Sequence, residues 1–139
     1  MRLMGLDVGT KTIGIALSDE AGITAQPVTT LKRSSIKKDL EELLRLAGDR
    51  QVRGFVVGMP VNMDGTEGPR SKSVQKFVEL LKEKTGLPVY TWDERFSTIA
   101  VTRVLIEGDL SRKRRKEVVD KMAAAYILQG FLDSRAANS

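Results

Sequence analysis

The chain has neither cysteine nor histidine. Without them it cannot build the usual zinc site, a Ser-His-Asp triad or a Cys-His pair. Any catalysis must then rest on carboxylates, lysines, hydroxyls or a hard metal ion held by oxygen. The lack of cysteine also fits a reducing compartment, and the expected location is cytoplasmic. Long apolar runs are missing too. No stretch approaches the roughly 18 apolar residues of a membrane span, so no membrane contact is expected. The N-terminus lacks the basic region, apolar core and cleavage site of a secretory signal. Aromatic residues make up only 5% of the chain, which leaves few platforms on which single-stranded nucleic acid could stack.

What is present is ordinary for a soluble globular protein, 41% hydrophobic and 29% charged. A length of 139 residues is read as one domain, 1–139, large enough to bury a core without staples. The net charge of +5 favours an anionic partner, although surplus lysine also serves solubility alone.

Leu3-Met4-Gly5-Leu6 is a short buried-strand run, and Thr12 to Leu17 alternates β-branched and small residues as a second strand. Asp7-Val8-Gly9-Thr10-Lys11 between them is short enough for a hairpin, with Gly9 able to take positive φ. After a turn at Asp19 to Gly22, Ile23 to Leu31 makes a third strand, in which Pro27 predicts an edge position or a bulge. Ser34 or Ser35 can cap a helix carrying Ile36, Leu40, Leu43, Leu44 and Ala47, with Gly48 ending it.

Gly54 to Met59 reads as a strand buried on both faces, followed by the glycine-rich loop Pro60 to Arg70. A second helix carries Val74, Phe77, Val78 and Leu81 and stops at Thr85-Gly86. Leu87 to Trp92 is the fifth strand, running into Asp93-Glu94-Arg95. Ser97 can cap a third helix with Val101, Val104 and Leu105 inward. The basic run Arg112 to Lys116 then precedes a final helix from about Glu117 to Arg135. A meander of three strands followed by αβαβα predicts an α/β fold, a mixed sheet flanked by helices.

Three acids fall at the ends of these elements. Asp7 closes the first strand and Glu94 lies just beyond the fifth. If the fourth and fifth strands run parallel to the first, both emerge at one edge of the sheet. Asp120 lies at the margin of the final helix's apolar face, read as Val119, Met122, Ala123, Tyr126 and Gly130. The pair Ala123-Ala124 would let that helix approach the sheet closely. Converging carboxylates with no lysine among them call for protonation or a divalent cation. Oxygen-only ligands suit Mg²⁺ or Mn²⁺, and such ions support phosphodiester cleavage.

Each residue also has a plainer reading. Asp7 before a glycine turn fits a simple turn residue. Glu94 beside Arg95 fits a surface ion pair, and Asp120 with Lys116 and Lys121 fits helix-surface pairing. The run of Arg112, Lys113, Arg114, Arg115 and Lys116 fits a solvated face, and Asn62-Met63-Asp64-Gly65 fits a tight turn. Of Asp93 and Glu94, adjacent on an extended strand, only one can readily face Asp7. The longer reach of Glu94 favours it, which leaves Asp93 to orient Arg95.

The segment "DVGTKTIGIALSD" is similar to the first motif of the bacterial YqgF family, also called RuvX, RuvC-like nucleases with an RNase H-like fold. "GMPVNMDGTEG" resembles that family's Pro-x-x-x-x-Gly loop, "TWDERFST" its Asp-Glu-Arg motif and "DKMAAAYILQGFLD" its last helical motif. The four occur in the family's order across nearly the whole chain. Thr12 departs from the pattern, since many members carry arginine there.

The resemblance implies a five-stranded sheet with three antiparallel strands and then two parallel ones. It implies that Asp7, Glu94 and Asp120 bind Mg²⁺ or Mn²⁺ and carry strand cleavage. Lys11, Asn62, Arg95, Arg112, Lys113, Arg114 and Arg115 are the expected substrate contacts. The implied substrate is nucleic acid: structured RNA, namely the 5′ end of precursor 16S ribosomal RNA, or else branched DNA at a Holliday junction. A monomer or weak homodimer is expected. Two rivals from other classes are a nucleotide-binding module, for which the second half-site is missing, and a non-catalytic RNA-binding scaffold, against which the retained acids argue.

Overall fold

The computed structural model describes residues 1–60, 68–94 and 112–137, excepting the side chains of 112–119. Five strands form one mixed sheet: β1 (Leu3–Val8), β2 (Thr12–Ser18), β3 (Ala25–Lys32), β4 (Gly54–Met59) and β5 (Val89–Asp93). They lie in the order β3-β2-β1-β4-β5. β1 pairs antiparallel with β2, and β2 with β3, whereas β4 is parallel to both β1 and β5. This is the predicted meander followed by two parallel strands. Pro27 behaves as expected: β3 is an edge strand, and its register against β2 shifts between Ile15 and Ala16, where Pro27 begins the far side.

Among the described residues, two helices cover one face of the sheet and a third covers the other. Helices α1 (Ile36–Asp49) and α2 (Pro69–Thr85) pack Leu40, Leu43, Ala47, Val74, Phe77, Val78 and Leu81 onto Met4, Leu6, Ile13, Ile15, Phe55 and Val57. Helix α3 (Arg112–Ala137) packs Ala123, Ala124, Ile127, Leu128 and Leu132 onto Leu3, Ala16 and Val56. The period of two sorts each strand between the layers. Leu3, Gly5 and Asp7 therefore face α3, and Met4, Leu6 and Val8 face α1 and α2. Glycines on the α3 side let that helix lie unusually close. A Cβ at Gly5 would stand 2.7 Å from Leu128, and one at Gly14 would stand 1.9 Å from the backbone oxygen of Asp120.

Several expected boundaries move. Gly48 lies inside α1 rather than ending it. The helix closes two residues later through Gln51 at φ 56, with Val52 N–H donating to Ala47 O at 2.8 Å and Gln51 N–H to Gly48 O at 3.3 Å. Burial of Val52 and Ala47 draws the chain into this paired-bond stop, so a glutamine takes the conformation a glycine usually supplies. The basic run is not a lead-in to the last helix, because α3 already begins at Arg112. The buried stripe of α3 is also rotated from the predicted one. It centres on Ala123, Ala124, Ile127 and Leu128, with Met122, Tyr126 and Gly130 on its flank. The glycines of the sheet set this rotation, since Leu128 packs against Gly5 and Ile127 against Gly58.

The stop of α2 at Thr85, with Gly86 at φ 67, is as expected. The expected helix after Ser97 lies outside the described residues. No helix among the described residues is long and apolar enough to cross a membrane.

Candidate active site

The turn between β1 and β2 closes by Gly9 N–H donating to Thr12 O at 2.9 Å. Gly9 does not need positive φ for this; the glycines at positive φ among the described residues are Gly22 and Gly86. Its small size matters instead, since a Cβ there would come within 3.0 Å of the Thr12 carbonyl oxygen. β1 runs through Val8, so Asp7 sits inside the strand rather than at its end. It is 5% exposed and directly opposite Gly14 of β2. Gly14 is where the backbone of Asp120 meets the sheet. One cross-strand pair thus brings Asp7, from the rigid centre of the sheet, and the backbone of Asp120, from the helix crossing it, to the same place.

Asp7 and Asp120 line a single open cleft of about 330 Å³, together with Gly9, Thr10, Lys11, Thr12 and Arg70. The Thr12 hydroxyl donates to Oδ2 of Asp120. The threonine standing where the family pattern often has arginine is therefore a hydrogen-bond partner of an acid in the cleft. The sequence led to an expectation of acids with no cation among them, and the structure corrects it. Lys11, far off in neither space nor sequence, lines the cleft, and so does Arg70 from the first turn of α2. The Arg70 guanidinium also donates to Val8 O at 3.4 Å.

Glu94 stands two strands from Asp7, with β4 between β1 and β5. On β5, Tyr90 and Trp92 pack with the α3 layer, and the alternation sends Glu94 to that same face and Asp93 to the other. A Cβ on Gly58 of β4 would come within 2.9 Å of Glu94 Oε1 and 2.4 Å of Ile127. β1 and β4 are aligned as Leu6 with Val57, so the next residues in step are Asp7 and Gly58. The absence of a side chain at Gly58 makes room for Ile127 and the Glu94 carboxylate against β4.

The structure brings Asp7, Asp120 and Lys11 together and puts Glu94 on the same sheet face. Among the described residues, no three Asp or Glu side chains already stand close enough to hold an ion between them. The fit to a divalent metal is one of donor type: carboxylate oxygens with a hydroxyl beside them, the donor set of Mg²⁺ or Mn²⁺. Asn62 and Arg95 lie outside the described residues. Arg112, Lys113, Arg114 and Arg115 form the first turn of α3, with side chains outside the described set.

Arg70 is a cleft residue that motif reading passed over, and Thr12 is one it noted only as a departure from the family pattern. Arg70 could have been suspected from its place at the end of the glycine-rich loop, and Thr12 from its position two residues before Gly14.

A family model described as "RuvX: Holliday junction resolvase" matches residues 1–134. The chain is 54% identical over 134 residues to a "Putative pre-16S rRNA nuclease" of Myxococcus xanthus, covering 96% of this chain and 89% of that protein. It is 57% identical over 137 residues to the protein of the same name from Symbiobacterium thermophilum, covering 99% and 95%. Among solved structures it resembles Thermus thermophilus RuvC in complex with a Holliday junction, with a TM-score of 0.62 at 14% identity over 98% of this chain and 96% of that one. It also resembles the fowlpox virus resolvase in complex with Holliday junction DNA, with a TM-score of 0.55 at 14% identity over 97% and 99%. Such low identities speak for the fold alone, the RuvC-like form of the RNase H-like fold. With the family model spanning nearly the whole chain and relatives more than half identical, this chain belongs to the RuvX family.

Proposed function

We propose that this chain is a metal-dependent nuclease that hydrolyses phosphodiester bonds at the 5′ end of precursor 16S ribosomal RNA, in the cytoplasm. The observation that carries the reading is the convergence of Asp7 and Asp120 on one cleft with cationic side chains beside them. The names of the relatives more than half identical to it supply the substrate.

In this reading Asp7, Asp120 and Glu94 hold Mg²⁺ or Mn²⁺, which supplies Lewis acidity toward phosphoryl oxygens when bound. Asp7 is held by a central strand, where its position costs no reorganisation during the reaction. The Thr12 hydroxyl fixes one oxygen of Asp120 and so orients the carboxylate. Lys11 and Arg70 attract the phosphate backbone into the cleft and offset the charge of the acids. Asn62, Arg95, Arg112, Lys113, Arg114 and Arg115 extend that contact along the substrate. Asp93, directed to the other face, acts on none of the reacting atoms.

A branched-DNA substrate is the second reading, favoured by the description of the family model. One experiment separates the two. The full chain is incubated with Mn²⁺ or Mg²⁺ and, in parallel, with a 5′ leader of precursor 16S RNA and a four-way DNA junction, and the new ends are mapped. The expected result is a defined cut in the RNA and an intact junction. Cutting of the junction alone would transfer the activity to strand resolution, and cutting of neither would overturn the nuclease reading.

A further inference from the structure

The turn that follows β1 beside the cleft is gripped from behind by Arg33. This residue follows β3 and lies on the side of the sheet covered by α1 and α2, where its guanidinium stands 5.5 Å from the centre of the Phe77 ring. Its Nη1 donates to Gly9 O at 2.8 Å, and its Nε donates to Asp39 Oδ2 at 3.2 Å. Its backbone N–H donates to Lys11 O at 2.9 Å. Asp39 in the first turn of α1 is 2% exposed, and its other oxygen accepts the Ser34 N–H at 3.0 Å.

Asp39 is buried and the Arg33 side chain is 18% exposed, so desolvation offsets part of the pair's attraction. What the pair does achieve is directional. Asp39 fixes the guanidinium plane, and that plane fixes the Gly9 carbonyl. With Gly9 N–H bonded to Thr12 O, both polar ends of the Gly9 residue are then tied. The atoms so held lie between Asp7 and Thr12, the two residues that set the acid pair.

We infer that Arg33, oriented by buried Asp39, is a positioning residue: it holds the Gly9–Lys11 turn so that Lys11 and Thr12 keep their places beside Asp7 in the cleft. Arg33 acts through Gly9 and does not touch substrate. The catalytic consequence rests on the nuclease reading; the structural one does not.

The test compares wild type with Arg33→Met, Arg33→Lys and Asp39→Asn. Backbone amide exchange is followed by NMR, with Mn²⁺-dependent RNA cleavage measured on the same samples. The Gly9 amide should exchange about 10-fold faster or more in Arg33→Met, while amides of central β1 and of α3 keep their protection. The turnover rate should fall by about 10²-fold, the scale of an ångström-sized misplacement, with KM within about twofold. Arg33→Lys should fall between, since an ammonium can meet Gly9 O or Asp39 but cannot bridge both in one plane.

Asp39→Asn keeps Arg33 and loosens it, and decides the matter if Arg33→Met does not fold. Unchanged Gly9 exchange in Asp39→Asn and in whichever Arg33 variants fold would overturn the inference. So would exchange that rises equally across all elements, or a KM that rises with turnover unchanged. If wild type cleaves neither RNA nor DNA, the nuclease reading fails, and the Gly9 exchange by itself decides the positioning role.

Discussion

Adding a single methyl group at Gly14 should disrupt the cleft from a distance. Gly14 lies opposite Asp7 and under the backbone of α3, where a Cβ would sit 1.9 Å from Asp120 O and 2.4 Å from Asp120 C. Ordinary contact begins near 3.4 Å, and the obstacle is main chain, which cannot rotate away as a side chain can. In Gly14→Ala the first turns of α3 must therefore lift from β2 by more than an ångström. Overpacking of that kind costs about 1–3 kcal/mol, a fall in Tm on the order of 5–10 °C for a chain of this size. It also withdraws Asp120 from Asp7 and Thr12, and cleavage should fall by about 10²-fold.

Gly48→Ala is the internal control. Gly48 is exposed within α1, and a Cβ there meets nothing within 4 Å, so the same chemical change should stabilise by about 0.5–1 kcal/mol. Thermal denaturation and a cleavage assay on the pair suffice. A Gly14→Ala protein with wild-type Tm and activity would refute the close approach of α3 and the geometry of the acid pair with it.

Three further outcomes follow from the same geometry. Glu94→Gln should abolish Mn²⁺-dependent cleavage at saturating nucleic acid, whereas Asp93→Asn, on the opposite face of β5, should lose only part of it; the reverse order would mean that Asp93 is the metal-binding residue. Replacing Arg114 and Arg115 together with Ala should weaken binding to all nucleic-acid sequences alike and flatten its salt dependence by up to about two units of slope; an unchanged slope would return the run to a solvated face. Asp19 accepts the backbone N–H groups of Ile23 and Thr24, which hold its carboxyl below the ordinary value. A lowered folded-state pKa gives stability above the unfolded value of 3.8 that is lost as pH falls through the folded one. Asp19→Asn should thus have a slightly lower Tm at neutral pH, with the gap closing on acidification. A gap of constant size would contradict this.

The five strands were legible because each announced itself locally, by alternation in Thr12 to Leu17 and by the apolar run Gly54 to Met59. The shared face of Asp7 and Glu94 also follows from a period of two once β1, β4 and β5 are taken as parallel. The stop of α1 was misread because Gly48 is a permissive residue at a plausible place. The actual stop depends on burial of Val52 against Ala47, which no local pattern reveals. The rotated stripe of α3 has the same origin. Gly5, Gly14 and Gly58 sit on one sheet face and accept Leu128, the Asp120 backbone and Ile127, a complementarity between segments more than 60 residues apart in the sequence. Spaced glycines within apolar strands were the available signal for a close helix. Arg33 and Arg70 show the limit of motif reading. An arginine in a loop looks like any surface cation until the fold brings Gly9 O, Asp39 and Val8 O to it.

The central claim is that Asp7 and its neighbours bind the metal that cleavage requires. Mn²⁺ binding, measured by calorimetry on wild type and Asp7→Asn at equal protein concentration, tests it most directly when paired with cleavage at saturating RNA. The account predicts Mn²⁺ affinity weakened by about 10-fold or more in the variant, cleavage lowered by about 10²-fold or more, and a Tm unchanged or raised because one member of a repelling pair has lost its charge. Equal Mn²⁺ affinity and full cleavage in Asp7→Asn would contradict it.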